Sequence, residues 1–299
     1  MNNQTRGAIL VMVAGLLWGT TGILAKWTYA NTTIGPISLA WLRILIALPM
    51  LGLLATTRHA SFSLNRRELL LFLAFGFCSL TVFESLYFTS FAYTSVQHAA
   101  ALLYTAPGFV AVLSWFVLKE KLTRRKIVAV VLSISGAFLI MGLLRGEHLF
   151  ASRTQVGDWL ALGSGLAYAT WYIFGKVLGR NREAAVTSFF ALLFGAVFFV
   201  PLVVALEATR LPQSLLAWEL VAAVGIIPTT MAYMFYLTGL KLVDATKASV
   251  FAITEPIGAV SLAFLFFGET LSYDSLVGLA LIISSILLIS FSEKSNENR

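Results

Sequence analysis

Charged residues are scarce in this chain. Of its 299 residues, 12% are charged and 59% apolar, against about 25% and roughly 45–50% in soluble domains. A soluble protein of this size buries about three quarters of its unfolded surface and still needs a polar coat. The 21 basic and 14 acidic side chains cannot make one, so lipid must replace water around most of the surface. Cysteine is almost absent. Cys78 stands alone within an apolar run, which excludes an internal disulfide and any multi-cysteine metal site. Histidine is nearly as rare: His59, His98 and His148 fall in connectors or at a span edge, so no metal cluster and no cofactor are expected. The chain also lacks a His-Glu-x-x-His zinc helix, a Gly-x-x-x-x-Gly-Lys phosphate loop and a Gly-x-Gly-Asp aspartyl motif, which argues against an intramembrane enzyme.

What is present is a series of long apolar runs. A helix needs about 20 apolar residues to cross roughly 30 Å of hydrocarbon. Such runs fall at 8–27, 35–55, 69–92, 96–118, 126–144, 157–177, 186–206, 217–239, 247–267 and 274–292. Ten crossings consume about 200 residues and leave no room for a soluble domain. The first run, although preceded by Arg6 like a signal peptide, contains Trp18 and Lys26 and has a counterpart later in the chain, so it reads as a span. The net charge of +7 would suggest nucleic acid in a soluble protein. Here the basic residues sit in alternate connectors, after spans two (Arg58, Arg66, Arg67), four (Lys119, Lys121, Arg124, Arg125, Lys126) and six (Lys176, Arg180, Arg182). With both termini cytoplasmic, 16 of the 21 basic residues lie inside and four outside, the bias expected of a multi-pass protein of the cytoplasmic membrane. The bilayer, not nucleic acid, is the expected macroscopic partner.

The chain repeats itself. Residues 99–122 read AAALLYTAPGFVAVLSWFVLKEKL and residues 248–271 read ASVFAITEPIGAVSLAFLFFGETL. A constant offset of 149 pairs Thr105 with Thr254, Pro107 with Pro256, Glu120 with Glu269 and Tyr87 with Tyr236. An offset of 150 pairs Gly15 with Gly165, Trp18 with Tyr168 and Lys26 with Lys176. A five-span unit is thus used twice, as residues 1–146 and 147–299. Five is odd, so the second copy enters the membrane from the opposite side. The charges agree: KEKLTRRK (119–126) becomes GETLSYDS (268–275), keeping Glu and Leu while losing every basic residue. The expected fold is all-α and integral to the membrane, ten transmembrane helices in two inverted five-helix repeats around a central cavity. Because the repeat is internal, a monomer suffices.

The segments GLLWGTTGILAKW (15–27), AWLRILIALPML (40–51) and the paired proline-to-glutamate stretches resemble the EamA-like ten-helix branch of the drug/metabolite transporter superfamily over nearly the whole chain. The resemblance implies two inverted bundles, alternating access, a cavity lined mainly by spans 1, 3, 4, 6, 8 and 9, and transport of small metabolites such as amino acids, commonly export.

Three ionisable residues fall at mid-depth, where a charge is costly and marks function by default: Arg43 in span two, Glu84 in span three and Glu255 in span nine. Helical spacing puts Tyr87 and Phe88 on the Glu84 face, with Phe91 one turn on. The repeat sets Tyr233 and Tyr236 against Glu84 and Tyr87. A shared water-filled cavity accounts for both faces, while a buried structural pair or a headgroup-level position remains open for Glu84. Glu255 precedes Pro256 and replaces Ala106 of the first repeat, so either a function special to one half or a helix-kink hydrogen bond fits it. Arg43 resembles the arginine this family carries in span two, as a structural counter-ion or as a contact for a substrate carboxylate. Together the three leave a charge of −1, which a cationic or zwitterionic cargo or a proton would neutralise; Glu84 or Glu255 is the candidate proton carrier. Trp18, Tyr104, Tyr168, Trp171, Tyr233 and Tyr236 add aromatic surface suited to amino acids or organic cations. His98 and Lys247, repeat mates near opposite faces, are candidates for gating or proton transfer, with snorkelling to the interface as the alternative. Gly15 and Gly19 permit close helix approach, and Pro107 and Pro256 are expected to bend spans four and nine. The function expected is secondary active transport of small metabolites, amino acids first and probed for proton coupling, with organic cations or drugs as the alternative.

Overall fold

Hydrocarbon offers no water to a peptide group, so a spanning segment must bond its own backbone, and a helix does so locally. The structure, a computed structural model, describes residues 2–90, 93–94, 96–140, 155–205, 211–267 and 272–297, without the side chains of 88, 96–98, 263, 267 and 291–297. Among the described residues every regular element is helical. Eight helices are long and apolar enough to cross a bilayer: α1 (Asn3–Asn31), α2 (Pro36–Thr57), α3 (Arg66–Tyr87), α4 (Ala99–Leu118), α7 (Ala184–Ala205), α8 (Leu215–Leu240), α9 (Ala245–Phe266) and α10 (Tyr273–Ser290). Between them lie α5 (Arg124–Ile140), 17 residues long, and α6 (Gln155–Gly179), whose 25 residues include Asp158, Ser164, Thr170 and Lys176. Ten helical segments therefore follow one another, although α5 and α6 fall short of the length or hydropathy of a free-standing span. For α6 the reason is its place: half of it is buried inside the bundle, so lipid does not select its side chains. The junction of the two halves, near residue 146, lies outside the described residues.

Packing follows the inverted repeat. Helix α1 of the first half packs on α8 and α9 of the second, and its mate α6 packs on α3 and α4 of the first. Helices α2 and α7 likewise each lie across the opposite half, and α5 closes against α10. Glycines allow these contacts. A Cβ on Gly15 would stand 2.2 Å from Thr254 Oγ1, and one on Gly19 would stand 2.7 Å from the Glu255 carbonyl oxygen and from Ala259 N. The mate of the first, Gly165, meets the Leu102 carbonyl oxygen of α4 at 3.1 Å.

Four helices are interrupted in repeat-related pairs. In α3 and α8 the backbone widens to π-helix at Phe77–Val82 and Gly225–Met231. In each, a threonine bonds the carbonyl five residues back, Thr81 to Gly76 at 3.3 Å and Thr230 to Gly225 at 2.8 Å. Helix α4 breaks at Tyr104–Thr105 and α9 at Ile253, two or three residues before the expected prolines. Each break is tied by a threonine hydroxyl, Thr105 to the Leu102 carbonyl at 2.6 Å and Thr254 to the Met12 carbonyl at 2.8 Å.

The end of the bundle that carries Asn3 is sealed. A left-handed Lys119 turns the chain after α4 so that the Glu120 carboxylate accepts from Ala245 N at 2.6 Å, Thr246 N at 3.3 Å and Thr246 Oγ1 at 3.1 Å. This is the conserved-by-repeat glutamate acting as an N-terminal cap for α9. Lys126 bridges Glu120 at 3.7 Å and Asp244 at 2.9 Å. Burial opposes ionisation of Asp244, but its bond to Lys126 and the charges of Lys126, Lys247 and Lys176 outweigh this and hold its carboxyl below the usual range.

Gly19→Ala should lower the melting temperature in detergent by several degrees, since overpacking a tight contact costs about 1–3 kcal/mol. Gly22→Ala, where nothing stands within 4 Å of the added carbon, should leave it unchanged or raise it. Equal effects at the two positions would contradict the close α1–α9 crossing.

Candidate functional site

The interruptions place a set of side chains around one cavity of about 270 Å³. Within and just past its π-turn, α3 presents Ser79, Leu80, Phe83, Glu84 and Tyr87 to it, a single helical face. The break in α4 exposes Leu103 and Tyr104, and the break in α9 delivers Glu255 into the first turn of its second half. There the helix dipole favours a negative charge, and the Tyr104 hydroxyl is hydrogen-bonded to the carboxyl.

On the other side Arg43 of α2 donates from Nη2 to Glu84 Oε1 at 2.7 Å, with side-chain exposures of 15% and 8%. These two charges cancel, and of the three mid-depth groups Glu255 alone stands outside an ion pair among the described residues. Two donors on the cavity lining remain unmatched: among the described residues the buried side-chain atoms without a hydrogen-bond partner include Arg43 Nε and Trp171 Nε1. Both residues line the cavity. Unpaired buried donors are expensive, so the site has unused capacity for an acceptor beside a carboxylate that has no cationic partner among the described residues.

Aromatic rings form the floor. Trp171 lies 4.7 Å from Tyr233 and 4.7 Å from Phe75, and Trp18 lies 5.8 Å from Tyr233. The cavity extends from this floor along α1 and α2 to Tyr29 and Pro36, away from the sealed end.

Nine of the ten residues expected at a binding site, Arg43, Glu84, Glu255, Trp18, Tyr87, Tyr104, Tyr168, Trp171 and Tyr233, line this one cavity. Tyr236 does not. It sits one turn further toward the sealed end on α8, fully buried, with its ring 5.3 Å from Trp18 and 5.3 Å from Tyr172. It supports the floor from beneath. Lys247 stands at the sealed end, donating to Gln4 Oε1 at 3.5 Å. The side chains of His98 and Phe88, and all of Phe91 and Glu269, lie outside the described residues.

The six helices expected to line the cavity do so, and α2 joins them through Pro36, Leu39, Ala40 and Arg43. Sequence reasoning missed Tyr29 and Phe83. Tyr29 falls beyond the expected end of the first span, and Phe83 matches Ala232 in the other half, so the repeat gave it no mark. Its ring stacks on Tyr87 at 5.8 Å and meets Tyr168 at 5.2 Å. No group of three His, Cys, Asp or Glu residues gathers closely enough to hold a metal among the described residues.

Comparison with known proteins places this cavity in a wider set. The profile described as "EamA-like transporter family" matches residues 5–142 and 155–291, one copy per half. The uncharacterized transporter YwfM of Bacillus subtilis is 27% identical over 286 residues, covering 95% of this chain and 93% of that protein. The uncharacterized inner membrane transporter YicL of Salmonella typhimurium is 25% identical over 310 residues, covering 98% of each. A solved structure, titled only "Crystal structure of protein", superposes with a TM-score of 0.85 at 19% identity over 98% of this chain and 99% of its own. That likeness shows the fold.

Arg43→Met leaves Glu84 buried and uncompensated, which costs about 3–5 kcal/mol, so a marked fall in melting temperature is expected. The double variant Arg43→Met/Glu84→Gln should recover more than half of the loss. A double variant as unstable as the single one would show that the two groups are not an isolated pair.

Proposed function

Since the chain belongs to the EamA-like transporter family, and so to the drug/metabolite transporters, it is a multi-pass membrane transporter, and we propose that it carries small zwitterionic metabolites, amino acids or close relatives, by alternating access. The observation that carries this reading is the complementary pair of unmet needs in one cavity. Among the described residues Arg43 Nε and Trp171 Nε1 lack an acceptor, while Glu255 lacks a cation. A carboxylate and an ammonium on one small molecule would satisfy both. The volume of about 270 Å³ lies at the small end of ligand pockets, which suits a metabolite rather than a large drug.

Coupling falls to Glu255 on this reading. Glu84 is committed to Arg43 at 2.7 Å, so the carboxylate able to exchange a proton for a substrate cation is Glu255, reached by the Tyr104 hydroxyl. We place both termini in the cytoplasm of an inner-membrane protein, from the distribution of basic residues. The cavity then faces outward, the state from which an exporter releases cargo and takes up protons. A second reading is favoured by the rings around Glu255: an organic cation would be held by the carboxylate and by cation–π attraction from Trp18, Tyr168 and Tyr233.

Thermal-shift measurement on purified protein against amino acids and quaternary amines separates these readings. Stabilisation by amino acids supports the first, and stabilisation by amines alone replaces it with the second. In proteoliposomes with an imposed pH gradient, Glu255→Gln should abolish the pH-driven component of flux while retaining substrate exchange. PH-driven flux that persists in Glu255→Gln would refute the coupling assignment. With Cys78 replaced by Ala, a cysteine at Thr123 should react with an impermeant maleimide only after cells are opened; direct labelling would reverse the orientation.

A further inference from the structure

A second cavity, of about 380 Å³, lies at the sealed end of the bundle, within the roughly 300–1,000 Å³ of ligand pockets. Its walls are the ends of elements. Ala60 and Ser61 stand in the connector from α2 to α3, Arg180 and Arg182 in the connector from α6 to α7, and Lys241 just past α8. Spanning helices end where hydrocarbon gives way to headgroups, so the cavity sits at that level, between the two halves of the chain.

The walls are held firmly, and part of their donor capacity is unspent. Arg182 is used up by structure. It donates to the Glu68 carboxylate from Nε at 2.7 Å and from Nη2 at 2.8 Å, and to the carbonyl oxygens of Ser61 at 3.1 Å and Ser63 at 2.6 Å. This fork fixes one connector against the other. Glu183, on the cavity wall, is paired with Arg58 at 3.6 Å. Lys241 donates once, to the Arg182 carbonyl oxygen, and an ammonium has protons to spare. Among the described residues Arg180, which is exposed, makes no hydrogen bond or ion pair, and the Asn181 amide makes none either. Arg58, Arg180, Arg182 and Lys241 thus outnumber Glu68 and Glu183 by two. Burial pulls the Lys241 ammonium below the ordinary lysine value, against the charge of Glu183, and an anion beside it would favour the charged form. Val186, in the first turn of α7, lines the same wall, and a helix start adds partial positive charge.

Membrane orientation does not require this arrangement. It asks only that basic residues lie on one side, and Arg124 and Arg125 meet that need from the exposed start of α5 without lining this cavity. The fold does not require it either, because the repeat mates of Arg180, Arg182 and Lys241 are Ala30, Thr32 and Ala92.

We propose that this cavity binds a phosphate group at the membrane surface, held by Arg180 and Lys241 and presented by an anionic lipid of the leaflet at that end. A guanidinium and an ammonium together suit a phosphate, and phosphate is the anion that headgroups place at this depth. Arg182 is a positioning residue, which sets the Ser61 wall against the two ligating groups. A headgroup bound there ties the connector from α6 to α7 to the end of α8.

Native mass spectrometry of the full chain, titrated in turn with phosphatidylglycerol, phosphatidylcholine and inorganic phosphate, reads the affinity of each. Phosphatidylglycerol should bind more tightly than phosphatidylcholine, whose phosphate carries its own cation. Arg180→Gln alters a side chain that supports no other group, and it should weaken phosphatidylglycerol by about tenfold, the worth of one charge-assisted hydrogen bond. Arg180→Lys should recover part of that loss. Arg124→Gln/Arg125→Gln removes more charge from the same end and should leave the affinity unchanged. Equal weakening by Arg180→Gln and by that double variant would show attraction to the basic face as a whole and overturn the site, as would equal binding of the two lipids. Inorganic phosphate that displaces the lipid at equal affinity would uphold the phosphate site and overturn the lipid as its source.

Discussion

A peptide group stranded in hydrocarbon costs several kcal/mol, and this bundle depends on how it meets that cost where its helices break. Four helices depart from α-helix at mid-depth, and each departure carries a threonine hydroxyl that occupies a released carbonyl. Thr81 and Thr230 do so in the π-turns, and Thr105 and Thr254 at the breaks in α4 and α9. With the backbone satisfied in this way, irregular chain can line a cavity, which is where such chain is tolerated in membranes. The interruptions then aim side chains that unbroken helices would direct elsewhere. The site exists because of the breaks, and the breaks persist because of the hydroxyls.

The electrostatics follow from the same economy. Arg43 and Glu84 neutralise one another across α2 and α3, so their burial leaves no net charge to be carried through the cycle. Among the described residues Glu255 has no such partner. It sits at the start of a half-helix beside the Tyr104 hydroxyl. One fixed pair and one adjustable charge are what the proposed exchange of a cation or a proton requires.

Much of this was legible in the sequence, because lipid writes a one-dimensional code. Apolar runs marked the spans, basic connectors marked their sides, and the loss of KEKLTRRK in the second copy marked the inversion. Scarcity of charge made Arg43, Glu84 and Glu255 stand out, and all three meet in the cavity. The Arg43–Glu84 bond was not legible, since nothing in one chain tells which helices are neighbours across 41 residues. Tyr236 was misplaced because helical spacing gives direction but not depth, and one turn separates the cavity wall from the floor. The π-turns had a visible signal that went unread: Gly76 with Thr81 and Gly225 with Thr230 repeat at the same offset of 149. Helix α6 shows the limit of hydropathy, for an interior helix answers to protein neighbours rather than to lipid.

The length of α1 carries a last consequence. Its 29 residues extend about 44 Å at 1.5 Å per residue, well beyond roughly 30 Å of hydrocarbon. Part of the surplus lies at the open end, where Trp27 and Tyr29 are exposed and where interfacial aromatics settle among lipid headgroups. The rim of the cavity is therefore a floating collar, and its height above the acyl chains is set by hydrophobic mismatch. A thicker bilayer draws the collar down and dries the entrance, while a thinner one lifts it into water. Membrane composition thereby bears on solute entry through the length of α1.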